Sequence, residues 1–451
     1  MSEPDPDTSV ASSYPAAIQR PGERSAWWIV FALFLIYVLA WLDRLIISMM
    51  VAPIKEALHL SDFQMSLVLG PAFAISYAVF GMPLGWAADH YPRRWVIFGG
   101  VFVWALATTA CGFATSFEML MFCRIFVGIG EAALLPAAYS LIADAFPRDR
   151  VTMATSVFQT AGKIGSATAF GLGGLVIAFA HSLGGLTWPG GGHHSYWQLT
   201  FMLVGAPGFL LMFLVFSFRD PGRRDSGIAA PASTRGELLG FIKAHAKLLG
   251  MATIAFTCLA VVGYSMTAWV PTYMDRHFGW EPARYGPALS LMNLFGAAML
   301  VVVGRAVDRL FARGMRDAHL RFYSWLILIL SPAILYAFFS PSPYVFLSLY
   351  ALIQIITVPF IVYASALVAL LAPSRLRGQL LGIFMFIFNI IGFGAGPAIV
   401  GAITDFLFKD ESKIGMSLAI VVISGATIAF VVMRAALGAL DRAVAAAQSQ
   451  G

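Results

Sequence analysis

Twelve apolar runs in this chain are long enough to cross a bilayer. They lie near 27–51, 64–88, 95–115, 118–142, 151–180, 198–218, 251–275, 285–307, 321–340, 344–371, 379–405 and 414–434. A helix rises about 1.5 Å per residue, so about 20 apolar residues cross a hydrocarbon layer of about 30 Å. No water in that layer satisfies a bare backbone, so each run is confined to helix. The composition agrees, at 59% hydrophobic and 12% charged residues, where a soluble domain carries about a quarter. The expected class is an all-α membrane protein.

An even number of spans puts both termini on one side. The connections on that side hold Arg20 and Arg24, Arg93 and Arg94, Arg148 and Arg150, Arg375 and Arg377, and Arg434 and Arg442, with denser clusters in 219–250 and 305–321. The other side holds Lys55, Arg276, Arg284, Lys409 and Lys413. The positive-inside rule therefore makes both termini cytosolic, in a multi-pass protein of the plasma (inner) membrane. The net charge of +6 follows this topology and signals no nucleic-acid partner. Cys111, Cys123 and Cys258 all lie in apolar runs and offer neither a disulfide framework nor metal spacing. No P-loop, HExxH or GxSxG motif occurs, so neither an enzyme nor a bound cofactor is expected. His193 and His194, in a glycine-rich loop, read as solvated.

The chain divides into a disordered cytosolic tail (1–26), a six-helix unit (27–218), a cytosolic linker (219–250), a second six-helix unit (251–440) and a short tail (441–451). Thr234 and Glu237 have capping-box spacing, and Leu238, Phe241, Ile242, His245, Leu248 and Leu249 share one stripe. The linker therefore reads as a basic amphipathic helix on the inner membrane face. The second span ends in GMPLGWAADHYPRR (81–94) and the eighth in GRAVDRLFARG (304–314), with Gly85 and Asp89 matched by Gly304 and Asp308. This repeat, in a six-plus-six chain, resembles the major facilitator superfamily. The first copy is similar to the family's G-x-x-x-D-R/K-x-G-R/K-R/K loop, with His90 and Pro92 departing from it. The resemblance implies two pseudo-symmetric six-helix bundles. It also implies a conformational latch of Gly85, Asp89, Arg93, Arg94, Asp308 and Arg309 that joins the halves on the cytosolic side.

Ionisable residues at membrane depth are costly unless they face a cavity or a partner. The fourth run carries Arg124 and Glu131 two turns apart, with Gly128 and Gly130 between them for close helix packing. The first run carries Asp43 and Arg44, and the fifth carries Lys163 among the glycines of AGKIGSATAFGLGGL. Depth along the helices predicts two layers of opposite charge, Asp43 with Arg124 and Glu131 with Lys163. A buried carboxylate is pushed toward its neutral form by desolvation and back by a nearby cation, a competition suited to proton coupling. The second half has only Asn293, Gln354 and Asn389 at mid-depth, with Tyr264, Tyr363, Phe384, Phe386, Phe388 and Phe393. One charged wall and one apolar wall suit an amphiphile.

YVLAWLDRLII (37–47), RIFVGIGEAALLPAAYSLIADAFPRDR (124–150) and WVPTYMDRHFGW (269–280) resemble the Spinster-type branch. That resemblance implies proton-linked roles for Asp43 and Glu131 and substrate-linked roles for Arg44 and Arg124. Depth adds Lys163 to the substrate residues, and the second-half polar set adds Asn293, Gln354 and Asn389. The expected activity is proton-coupled secondary transport of a lysolipid- or sphingolipid-like anion by alternating access; the alternative is a carrier of small organic anions or drugs. The expected partners are protons, membrane lipids and the amphiphilic substrate, and the expected state is a monomer.

Overall fold

The structure, a computed structural model, describes residues 21–147, 149–187, 193–223, 235–315 and 317–449. Most of the N-terminal tail, Arg148 and Thr234 lie outside the described residues. Among those described, twelve helices are long and apolar enough to span a membrane: Glu23–Met49, Asp62–His90, Arg93–Cys111, Phe117–Ala145, Val151–Ser182, Tyr196–Phe216, Ala246–Phe278, Pro282–Ala312, Ala318–Ala337, Pro343–Leu371, Arg375–Phe408 and Glu411–Ala445. They are numbered here as spans one to twelve. The first begins inside the stretch read as a tail, and the last helix continues to Ser449.

Several spans are broken where their sequence requires it. The second is interrupted at Gly70, where Pro71 restarts the helix, and the tenth at Pro359, which lacks the N–H needed for helix continuation. The eleventh relaxes to π-helix over Phe388–Ala395, just before Pro397. A π segment is a common way for a helix to absorb a local mismatch. The linker helix Arg235–Ala244 places Leu238, Phe241 and Ile242 against the core of the second half. That part of its stripe is partly buried against protein, and Glu237 pairs with Arg375 at 3.0 Å. His193 and His194 lie in a two-residue strand paired with Leu186–Thr187, and the His194 ring meets Phe113.

The face carrying Glu23, the Tyr91–Pro92 turn, the linker and Ser449 is called the basic face. The halves meet tightly toward the opposite face. A Cβ on Gly174 would lie 2.4 Å from the Pro282 carbonyl oxygen, and one on Gly401 would lie 2.7 Å from that of Asp62. The Tyr285 hydroxyl donates to the Met49 carbonyl at 3.4 Å. Toward the basic face no glycine makes such a contact with the other half among the described residues. A Cβ on Gly85 would meet only Pro136 of its own half, and one on Gly81, Gly304, Gly378 or Gly382 would meet nothing within 4 Å. The two bundles thus form a cleft that opens on the basic face.

Candidate functional site

At the closed end of the cleft, the four charges of spans one and four come together. Gly128 and Gly130 make this possible. A Cβ on Gly128 would lie 2.2 Å from the Ser76 hydroxyl, and one on Gly130 would lie 2.6 Å from both the Gly100 carbonyl oxygen and the Trp104 nitrogen. Only glycine lets span four press against spans two and three in this way. Arg124 and Glu131 then face span one, and both are buried.

The pairing differs from the one expected from depth. Glu131 is bound by Arg44, not by Lys163. Arg124 does not reach the Asp43 carboxylate. It donates instead to the main-chain carbonyls of Asp43 and Arg44, both at 3.4 Å. These carbonyls sit in the last turn of the first α-helix, where the helix dipole favours a cation. The physical reason is angular. Asp43 and Arg44 are adjacent, so their side chains point about 100° apart, and depth alone cannot decide which one meets span four.

Asp43 is fully buried, and neither carboxylate oxygen has a hydrogen-bond partner among the described residues. The second oxygen of Glu131 and the Nε atoms of Arg44 and Arg124 are likewise without partners there. Arg44 keeps 11% of its side chain exposed. Its guanidinium lies 4.5 Å from the Phe73 ring, 4.8 Å from Trp41, 5.6 Å from Tyr77 and 5.9 Å from Phe393. Phe393 belongs to the second half and comes from the π segment, so one aromatic wall of the Arg44 site is supplied across the cleft. Of these rings only Phe393 stands out in the sequence, because Trp41, Phe73 and Tyr77 lie in ordinary apolar runs.

Lys163 is half-buried, and no side-chain hydrogen bond or ion pair joins it among the described residues. It shares a helix face with Ser166, three residues on. The Ser166 hydroxyl donates to the Asn293 side-chain oxygen at 3.3 Å, across the cleft. Lys163 therefore sits one turn nearer the basic face, on the cleft wall. Asn293 also accepts from Gln354 at 3.3 Å, so the structure brings these two expected residues together. Asn389 stands apart, its amide donating to the Met385 carbonyl. Phe384, Phe388 and Phe393 are buried, while Phe386 is exposed.

The residues expected to form the latch do not bridge the halves in this conformation. Arg93 is buried, bonded to Asp144 and, at 2.6 Å, to Asp220, and Arg94 donates to the Phe218 carbonyl at 2.9 Å. Asp144 and Phe218 belong to the first half and Asp220 to the start of the linker, so none of these partners lies in the second half. Asp89, Asp308 and Arg309 are exposed.

The Major Facilitator Superfamily profile matches residues 33–397, and the chain belongs to that family. Within it the chain resembles the Spinster-type branch. It is 30% identical over 399 residues to an MFS-type efflux pump of Mycolicibacterium smegmatis, covering 87% of each chain. It is 22% identical over 408 residues to protein spinster of Drosophila melanogaster, covering 86% of this chain and 64% of that protein. The fold matches a bacterial homolog of the human lysosomal transporter Spinster, solved inward-facing and unoccupied. That match has a TM-score of 0.75 at 22% identity and covers 94% of this chain and 98% of the other. The chain is thus a multi-pass integral membrane protein of a transporter family.

Proposed function

We propose that the protein is a proton-coupled secondary transporter of an amphiphilic, lysolipid- or sphingolipid-like anion, working by alternating access in the plasma membrane. The basic face is cytosolic in this reading, so the structure corresponds to the inward-open state. The observation that carries the proposal is the buried cluster of Asp43, Arg44, Arg124 and Glu131 at the end of an open cleft. With both acids ionised, the cluster is neutral and Lys163 adds one positive charge to the wall. A proton on Glu131 would weaken its hold on Arg44 and free a guanidinium for an anionic headgroup. A proton on Asp43 would remove a buried charge that has no donor. Each added proton makes the wall more positive, so proton and anion binding favour each other.

The second half supports the amphiphile reading, because its wall offers amides and buried aromatic rings but no mid-depth charge. In the outward state, Gly85, Asp89, Arg93, Arg94, Asp308 and Arg309 would close the basic face, and their present separation across the cleft is what an inward-open state requires. Uptake into proteoliposomes tests the substrate class. A fluorescent lysophospholipid should be taken up, and excess unlabelled lysolipid should compete. Competition by sugar acids or aromatic acids, with no effect of lysolipid, would favour the small-anion carrier instead.

A further inference from the structure

We infer that a cavity between the halves at the opposite face is a binding site for an organic ammonium ion with an apolar body. The cavity measures about 360 Å³, within the usual range for small-molecule sites. Both bundles build it. The first half contributes Met50 and Val51, which follow span one, Ile177 of span five and Tyr196 at the start of span six. The second half contributes Thr272 and Asp275 of span seven, with Glu281 and Pro282 where span eight begins. Pro282 is also the residue against which Gly174 packs, so the cavity sits beside the tight contact that closes this face. His181 and Glu281 are exposed at its rim, which places its mouth on the opposite face.

The only fixed charges along its wall are the carboxylates of Asp275 and Glu281. Asp275 joins no ion pair and no side-chain hydrogen bond among the described residues, and the Glu281 side chain makes no capping bond at the start of span eight. The neighbouring cations are engaged elsewhere. Arg276 holds Asp62 at 2.7 and 2.8 Å and Glu411 at 3.2 Å, and Arg284 lies 4.1 Å from the Trp280 ring. Thr272 precedes Asp275 by three residues and shares its helix face. It is 3% exposed, and its hydroxyl has no hydrogen-bond partner among the described residues. A buried hydroxyl left unpaired is costly, and an ammonium group here would donate to Thr272 and Asp275 together. Tyr196, met edge-on by the His181 ring at 4.8 Å, offers an aromatic surface to the cation and its body. A bare metal ion would leave the apolar wall unfilled, whereas an arylalkylamine covers both parts. Because both halves build the cavity, a bound amine favours the state in which this face is closed. That consequence rests on the alternating-access reading; the binding site itself does not.

Calorimetric titration of the full chain in phosphatidylcholine nanodiscs with 2-phenylethylamine tests the site, with empty nanodiscs as the blank. The parent should bind the amine saturably. Asp275→Asn should raise the Kd about tenfold through loss of a charge-assisted bond at a half-buried position, and Thr272→Val should raise it about threefold. Ala283→Trp fills the cavity from its exposed rim without touching either acid and should abolish binding. The site is overturned if the parent shows no saturable binding, or if Asp275→Asn and Ala283→Trp both keep the parent Kd. In proteoliposomes the amine should lower the maximal rate of lysolipid uptake and leave its KM unchanged. Competitive inhibition would put the amine in the cleft and overturn the inference. Binding is read whether or not a lysolipid is carried, so failure of the substrate reading and failure of this site are distinguishable.

Discussion

Replacing Glu131 by glutamine should separate transport from the proton gradient while leaving the fold in place. The side chain is 1% exposed and holds Arg44, so the ion pair joins span one to span four at the closed end of the cleft. Glutamine keeps the shape and one acceptor but cannot carry the charge or exchange a proton. Removing one partner of a fully buried pair costs about 3–5 kcal/mol. Arg44 retains 11% exposure and packs among four rings, which compensates part of that loss, so about 2 kcal/mol is a reasonable figure. That corresponds to roughly thirtyfold in an equilibrium. The assay compares two modes in the same proteoliposomes: accumulation driven by an imposed pH gradient, and exchange of labelled for unlabelled substrate without one. Glu131→Gln should lower accumulation by about thirtyfold and leave exchange near the parent rate. Accumulation at the parent level would refute the coupling role. Loss of both modes together with a lower melting temperature would mean that the pair only holds the helices in register.

Three further outcomes follow from the same geometry. Gly130→Ala places a methyl 2.6 Å from backbone atoms of Gly100 and Trp104, so unfolding in detergent should show a loss of about 1–3 kcal/mol. Lys163→Gln should raise the apparent KM for an anionic amphiphile about tenfold through loss of one unpaired cation at the cleft wall; an unchanged KM would remove Lys163 from the substrate path. Arg93→Ala leaves Asp144 and Asp220 facing each other without their shared cation, so the variant should lose about 3 kcal/mol of stability, seen as a lower melting temperature in detergent.

The membrane architecture was legible because each span must carry a long apolar run of its own. That signal needs no knowledge of neighbours, and the twelve runs correspond to twelve spans among the described residues, most ends shifted by a few residues and the last span running on to Ala445. The identity of the mid-depth charges was legible for the same reason, since Asp43, Arg44, Arg124 and Glu131 stand out against apolar surroundings. Their pairing was not. Rise per residue gives depth, whereas contact depends on rotation about the helix axis, and span four restarts at Leu134, between Glu131 and the turn at Pro147. The ring of ion pairs among Lys55, Asp62, Arg276 and Glu411 on the opposite face was hidden for another reason. Its members sit at span ends, where charges are ordinary, and Asp62 and Arg276 are 214 residues apart in the chain. The aromatic cage of Arg44 was hidden because phenylalanine and tyrosine are common in lipid-facing positions, and only the fold shows that Phe393 crosses the cleft.

The most direct test of the account is proton movement triggered by substrate alone. Proteoliposomes are loaded with a pH-sensitive dye, with equal pH on both sides, and a lysophospholipid is added outside. The account predicts a change in lumenal pH that runs in step with lysolipid flux, whatever its sign, and that disappears in Asp43→Asn or Glu131→Gln. Lysolipid flux at the parent rate with no change in lumenal pH would contradict it.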